Sequence, residues 1–257
     1  MQNNPQEKIG VVFVHGAGLG SRIWSRVVKG MEHPYLLVEY PFRDSSVDSR
    51  RRLSMEDYVT HMKKQVDEWG IRKFVIVAHS LGGVLALKLA SELNDRLAGF
   101  IAVGAVIPKN GGSFLSVMPF PQKIIMSAIL RTIGTKPPES AIRTGLCNDL
   151  TPDQAAEIAR GFTPEAVRVY TDRIHVSVPD VPKLYVKLTQ DKELGPSLQD
   201  QMISNLSPQS VRSLETGPSP HDKGPGRVKS DLGRFPIISY SQKTLRTRLH
   251  TTIEGLS

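Results

Sequence analysis

Phe74-Val-Ile-Val-Ala78 is an unbroken apolar run that passes through His79-Ser80-Leu81-Gly82-Gly83 into a second apolar stretch of helical length, Leu81 to Leu93. A short run without polar alternation reads as a strand buried on both faces, and such strands belong to mainly parallel sheets covered by helices. Ile9 to Val14 and Tyr35 to Val38 have the same character, and the first ends in the Gly-rich turn Gly16-Ala-Gly-Leu-Gly20. Between these runs, Met55, Tyr58, Val59, Met62, Val66 and Trp69 recur at helical spacing. Ser54 stands at the N-cap of that segment, with Asp57 three residues on. A further strand is expected at Phe100 to Val103. Strand, helix and strand in alternation predict a doubly wound α/β architecture.

From Pro108 the pattern changes. Helices are expected over Gln122 to Ile133, over Pro152 to Arg160 behind the capping residue Thr151, and from Thr163-Pro164-Glu165 onward. Residues 108–177 therefore read as a helical cap inserted into a core formed by 1–107 and 178–216. The core resumes with a strand at Lys183 to Leu188, a helix at Ser197 to Ser204 and a strand at Val211 to Leu214. Residues 217–257 are poor in apolar side chains and broken by Gly-Pro-Ser-Pro and Lys-Gly-Pro-Gly, so they read as an atypical, poorly ordered tail, with a surface helix at Ser241 to Ile253.

The net charge of +8 over 257 residues raises the question of an acidic partner. The tail holds seven basic against three acidic residues, and Arg50-Arg51-Arg52 forms a second basic spot. Neither is interleaved with aromatics, so both read as solvated faces and no nucleic-acid partner is expected. The single cysteine, Cys147, can form neither an internal disulfide nor a multi-thiolate metal site. No apolar run approaches the roughly 20 residues of a membrane span, and the first residues lack the pattern of a signal peptide. A cytoplasmic location is expected.

Ser80 lies between a buried strand and a helix with small residues at Ala78 and Gly82, the form of a nucleophile elbow. The tight turn brings the residues two before and two after the serine together, so bulky flanks would clash. Together with Val11-Val-Phe-Val-His15-Gly16, Leu146-Cys-Asn-Asp-Leu-Thr-Pro152 and Leu184-Tyr-Val-Lys-Leu-Thr-Gln-Asp191, the segment Ala78-His79-Ser80-Leu81-Gly82-Gly83 resembles the α/β-hydrolase superfamily over about residues 8–216. The resemblance is to the compact, cofactor-free branch of carboxylesterases, plant methyl-ester esterases and hydroxynitrile lyases.

That resemblance implies an α/β-hydrolase fold and a serine carboxylic-ester hydrolase acting on small apolar esters, with no cofactor and no metal. It gives Ser80 as nucleophile, the backbone N–H groups of Ala17 and Leu81 as oxyanion donors, and Asp191 as the acid that orients the base. His15 and His79 are expected to hold turns rather than transfer protons. The base should follow the last strand. Relatives often read Gly-His-Ser-Pro there, whereas this chain reads Gly217-Pro218-Ser219-Pro220-His221. Either His221 reaches in from three residues later, or the triad is incomplete and the chain is a catalytically impaired, hydrolase-like ligand-binding protein.

Overall fold

The computed structural model describes residues 8–43 and 47–235. The elements follow in chain order as β1 (Ile9–Val14), α1 (Ser25–Val28), β2 (Tyr35–Leu37), α2 (Val47–Arg51), α3 (Met55–Trp69), β3 (Lys73–His79), α4 (Gly82–Glu92) and β4 (Leu97–Val103). They continue as α5 (Phe120–Thr132), α6 (Glu139–Thr144), α7 (Pro152–Gly161), α8 (Val167–Thr171), β5 (Lys183–Leu188), α9 (Pro196–Leu206), β6 (Ser210–Leu214), α10 (Pro220–Lys223) and α11 (Pro225–Gly233). The six strands form one sheet in the order β2-β1-β3-β4-β5-β6, every pair parallel. β1 and β3 pair in register from Ile9 opposite Lys73 to Val14 opposite Ala78, which sets the Gly-rich turn beside the Ser80 turn.

The double-sided burial expected of the apolar runs follows from the two-residue period of a strand. Val12, Val14, Ile76, Ala78, Phe100 and Ala102 join the core under α3, α4 and α9. Their neighbours Val11, Phe13, Val75, Val77, Ile101 and Val103 pack on the opposite face against Trp24, Val27, Val228 and Leu232. α3 begins with a complete capping box, in which Ser54 Oγ accepts from the Asp57 N–H and the Asp57 carboxylate accepts from the Ser54 N–H. Such a cap stabilises a helix start by about 1 kcal/mol.

Between β4 and β5 the chain is helical, as the punctuation by proline and glycine predicts. α6 and α7 enclose a small core of their own, made of Ile142, Cys147, Ala155, Ala159 and Phe162. Burial pushes the Cys147 thiol up to about 11. One short helix is displaced from its expected start: α8 begins at Val167, and Ala166 is extended. The reason is that Glu165, expected in a first helical turn, has its carboxylate drawn into contacts with Arg43 and Tyr58.

Two further expectations change. Arg50 is buried rather than solvated, with Nη1 donating to the carbonyls of Phe42 and Arg43. Residues 217–235 are not a loose tail: α10 and α11 pack beside α1, with Val228, Leu232 and Phe235 buried. Val228 and Leu232 are four residues apart, enough to make a short helix amphipathic, but composition averaged over the whole tail hides so small a stripe. The helix expected at 241–253 lies outside the described residues.

Candidate active site

Ser80 closes β3 with a left-handed backbone, φ 51°, a conformation that a non-glycine residue adopts only when its surroundings impose it. Its carbonyl accepts from the Gly83 N–H at 3.0 Å and the Val106 N–H at 2.9 Å, which locks the turn onto the chain after β4. Two glycines make the close approach feasible. A Cβ on Gly16 would lie 3.0 Å from the Ser80 Cβ, and one on Gly82 would lie 2.5 Å from the His15 carbonyl oxygen. The Gly-rich turn and the serine turn therefore pack backbone to backbone, and among the described residues neither the Ala17 nor the Leu81 N–H enters a turn hydrogen bond.

His15 holds this turn, as expected. Its Nδ1 is 2.8 Å from the Gly16 carbonyl and its Nε2 is 2.9 Å from Glu39 Oε1, while the Tyr40 hydroxyl donates to the His15 carbonyl. Burial alone would raise the Glu39 carboxyl; the hydrogen bond and nearby charge of His15, the Ser21 N–H and Arg43 outweigh it and hold the group at about 2. Arg43 carries the connection onward, with Nε 3.2 Å from Glu39 and Nη1 3.0 Å from the buried Glu165. Glu165 also accepts from the Tyr58 hydroxyl at 2.9 Å, and burial is the chief reason its carboxyl is shifted up. At the end of this chain Gly18 is pinned: its carbonyl accepts from the Thr163 N–H at 2.9 Å, and a Cβ there would sit 2.1 Å from the Phe162 ring. Sequence reasoning missed Glu39, Arg43, Tyr58 and Glu165 because their partners are up to 122 residues away and no local motif links them.

Asp191 stands at the end of β5, 5% exposed. Its Oδ1 accepts from the Glu193 and Leu194 N–H groups, both at 2.8 Å. Burial raises the carboxyl to about 6, against the pull of those two N–H groups and with help from the nearby Glu193 and Asp149.

His221 is the residue that the geometry leaves apart. Its ring is fully buried in α10, with centroids 5.8 Å from Trp24 and 5.2 Å from His79. Among the described residues neither of its ring nitrogens makes a hydrogen bond, so none joins it to Asp191 or Ser80. The closest acid is its neighbour Asp222, at 3.6 Å. Burial first, then the proximity of His79, His15 and Arg26, drives its pKa well below the usual imidazole value. His79 sits at about 4, also through burial, and its Nε2 donates to the Pro218 carbonyl at 2.8 Å.

The loop that carries Pro218 is held from the helical segment. Gly217 donates its N–H to Asp149 Oδ2 at 2.6 Å, Ser219 Oγ donates to the Leu146 carbonyl at 3.0 Å, and Lys223 Nζ donates to the Asp149 carbonyl at 2.9 Å. Among the described residues no three His, Cys, Asp or Glu side chains converge as a metal-holding group.

A parallel sheet, a strained serine between strand and helix, a glycine turn packed against it and an acid two strands over are the anatomy of one hydrolase fold. The profile of the Alpha/beta hydrolase family matches residues 11–228. The chain belongs to that family. Methylesterase 17 of Arabidopsis thaliana is 24% identical over 238 residues, spanning 83% of this chain and 86% of that protein. Pheophorbidase of Raphanus sativus is 24% identical over 228 residues, spanning 79% of this chain and 84% of its own length. Among solved structures, an extracellular α/β-hydrolase from a Paenibacillus species superposes with a TM-score of 0.79 at 17% identity, over 88% of this chain and 98% of that one. The α/β-hydrolase fold and the esterase branch that the motifs resemble are thus where the relatives lie, and the enzyme class is a carboxylesterase-like hydrolase.

Proposed function

We propose that this chain hydrolyses small apolar carboxylic esters by acylation of Ser80 and release of the acyl-enzyme by water, with no cofactor. The observation that carries this reading is the left-handed Ser80 packed against Gly16; on this reading its hydroxyl attacks the ester and the Ala17 and Leu81 N–H groups donate to the developing oxyanion. Two such donors stabilise the tetrahedral intermediate, each worth about 2.7–4 kcal/mol in comparable sites. An apolar substrate is consistent with Ala17 and Leu81, the two residues beside Ser80 in this reading, both packing into the main apolar core. On this reading residues 108–177 act as the cap over that pocket, and the lone Cys147 fits a reducing cytoplasm.

Attack needs a base, and His221 would have to leave its apolar niche to meet Asp191. A turn of only three residues separates it from Pro218, and the refolding of that turn is the conformational step the proposal requires. Because burial holds the His221 imidazole neutral at ordinary pH, the acid limb of activity is expected below 6.5, shaped by the ionisation of Asp191 near 6.

A second reading is favoured by the absence of hydrogen bonds to His221: the chain keeps the scaffold, binds ester-like ligands and turns them over slowly, because the expected base position is Pro218. Measuring kcat/KM on a soluble aryl ester separates the two. Ser80→Ala should abolish turnover and a serine-directed phosphonate should label Ser80; an adduct elsewhere, with activity lost, sinks the mechanism. A loss of about a hundredfold or more in His221→Ala supports the displaced base. Unchanged activity in that variant, with a Ser80-dependent gain in Pro218→His, establishes the impaired reading instead.

A further inference from the structure

α5, the helix expected over Gln122 to Ile133, turns most of its apolar side chains away from the protein. Only Leu130 is buried and Met126 packs against the core. Phe120 is 75% exposed, Ile125 60%, Ile124 54% and, just past the helix end, Ile133 73%. At about 100° per residue Ile124, Ile125 and Ile129 share an arc of about 140° on the side away from Leu130, so they form one face rather than scattered single side chains, with Phe120 and Ile133 at its two ends. Pro119 and Pro121 stand at the start of the helix and Pro137 and Pro138 beyond its end.

Charge decides what fits this face. No Asp or Glu stands between Asp95 and Glu139, whereas Lys109, Lys123, Arg131 and Lys136 lie in that stretch. Glu139, the first acid beyond, is engaged by Arg143 at 2.6 Å. A second copy of the chain docking face to face through a twofold axis would bring cation to cation with no acid from this segment to match. Residues 236–257 carry Lys243, Arg246 and Arg248 against Glu254 alone, so they do not complement a basic rim either. An apolar face in a segment whose own charges are all basic matches the boundary of a lipid bilayer with anionic headgroups.

We propose that α5 is a membrane-surface docking helix, its exposed apolar face entering the interfacial layer of an anionic bilayer while Arg131 and Lys136 meet the headgroups. This is attachment to a surface and not a span, since no helix among the described residues is long and apolar enough to cross a membrane. Vesicle binding reads this helix whatever Ser80 does.

The test uses the full chain with vesicles of phosphatidylcholine alone and with about a quarter phosphatidylserine, separated by sedimentation at low and high salt. Wild type should bind the anionic vesicles and be released by salt. Ile124→Glu with Ile125→Glu should lower the partition coefficient at least about tenfold. Arg131→Glu with Lys136→Glu should remove the preference for phosphatidylserine, at about fivefold per residue. Circular dichroism melting checks each variant, and Phe120→Ser serves as a milder substitution at the helix start if the Ile pair unfolds. Failure of wild type to bind, or binding unmoved by these substitutions, overturns the proposal. So does light scattering that finds a dimer dissolved by the Ile pair while vesicles stay unbound.

Discussion

On the β1 side of Ser80 the contacts run one into the next: the serine carbonyl is held by Gly83 and Val106, the Gly-rich turn by His15, His15 by Glu39, and Glu39 through Arg43 to Glu165. On the β6 side the loop from Gly217 to His221 is fastened to the helical segment through Leu146 and Asp149, and the His221 imidazole makes no hydrogen bond among the described residues, lying against the Trp24 and His79 rings and 3.6 Å from Asp222. The Ser80 side is thus secured by strand register and backbone contact. The His221 side depends on a few side-chain contacts to one loop, those of Asp149, Ser219 and Lys223.

Arg43→Leu should have the largest effect, because it strands the buried Glu165 without its cation. Loss of one partner of a buried pair costs about 3–5 kcal/mol, read as a lower urea midpoint. Asp149→Ala on the other side removes a charged acceptor from the Gly217 N–H and should cost less, about 1.5–3 kcal/mol. Equal losses would show that the two sides are secured alike.

Acid should weaken the base side next. His79 is depressed to about 4 and His221 well below 6.5, so their contribution is complete above 6.5 and is lost as pH falls through that value toward the folded pKa values. Asp191, raised to about 6, works the other way: its contribution is full below the ordinary 3.8 and is lost as pH rises through 6. Two histidines outweigh one carboxyl, so stability should drop by about 2 kcal/mol between pH 7 and 5. His221→Phe should flatten that slope in a thermal melt series, and a slope unchanged by it would place the acid sensitivity elsewhere.

Smallest is the effect of one methyl group. Gly82→Ala drives a Cβ to 2.5 Å from the His15 carbonyl and should cost about 1–3 kcal/mol together with most activity, whereas Pro218→Ala should cost under about 1 kcal/mol. Activity surviving in Gly82→Ala would mean that the two turns need not touch.

Much of this was legible before any coordinates. Strands buried on both faces, the period of α3 and the small residues around Ser80 are local patterns, and each emerges in place. What stayed hidden depends on contacts between distant segments. Glu39, Arg43 and Glu165 look like ordinary surface charges until the fold gathers them, and Arg50 reads as part of a basic run until the carbonyls of Phe42 and Arg43 enclose it. The environment of His221 is hidden for the same reason: its offset from Pro218 can be counted, but Trp24 lies almost 200 residues earlier in the chain.

The stitch between Gly18 and the end of α7 has a consequence for anyone recombining this chain with a relative. Phe162 rests where a side chain on Gly18 would be, and Arg43 bridges to Glu165 beside it. Residues 108–177 therefore cannot be exchanged as an independent module. A transplant must bring its own partners for positions 18 and 43, or it will deliver a new helical segment together with a dislocated glycine turn.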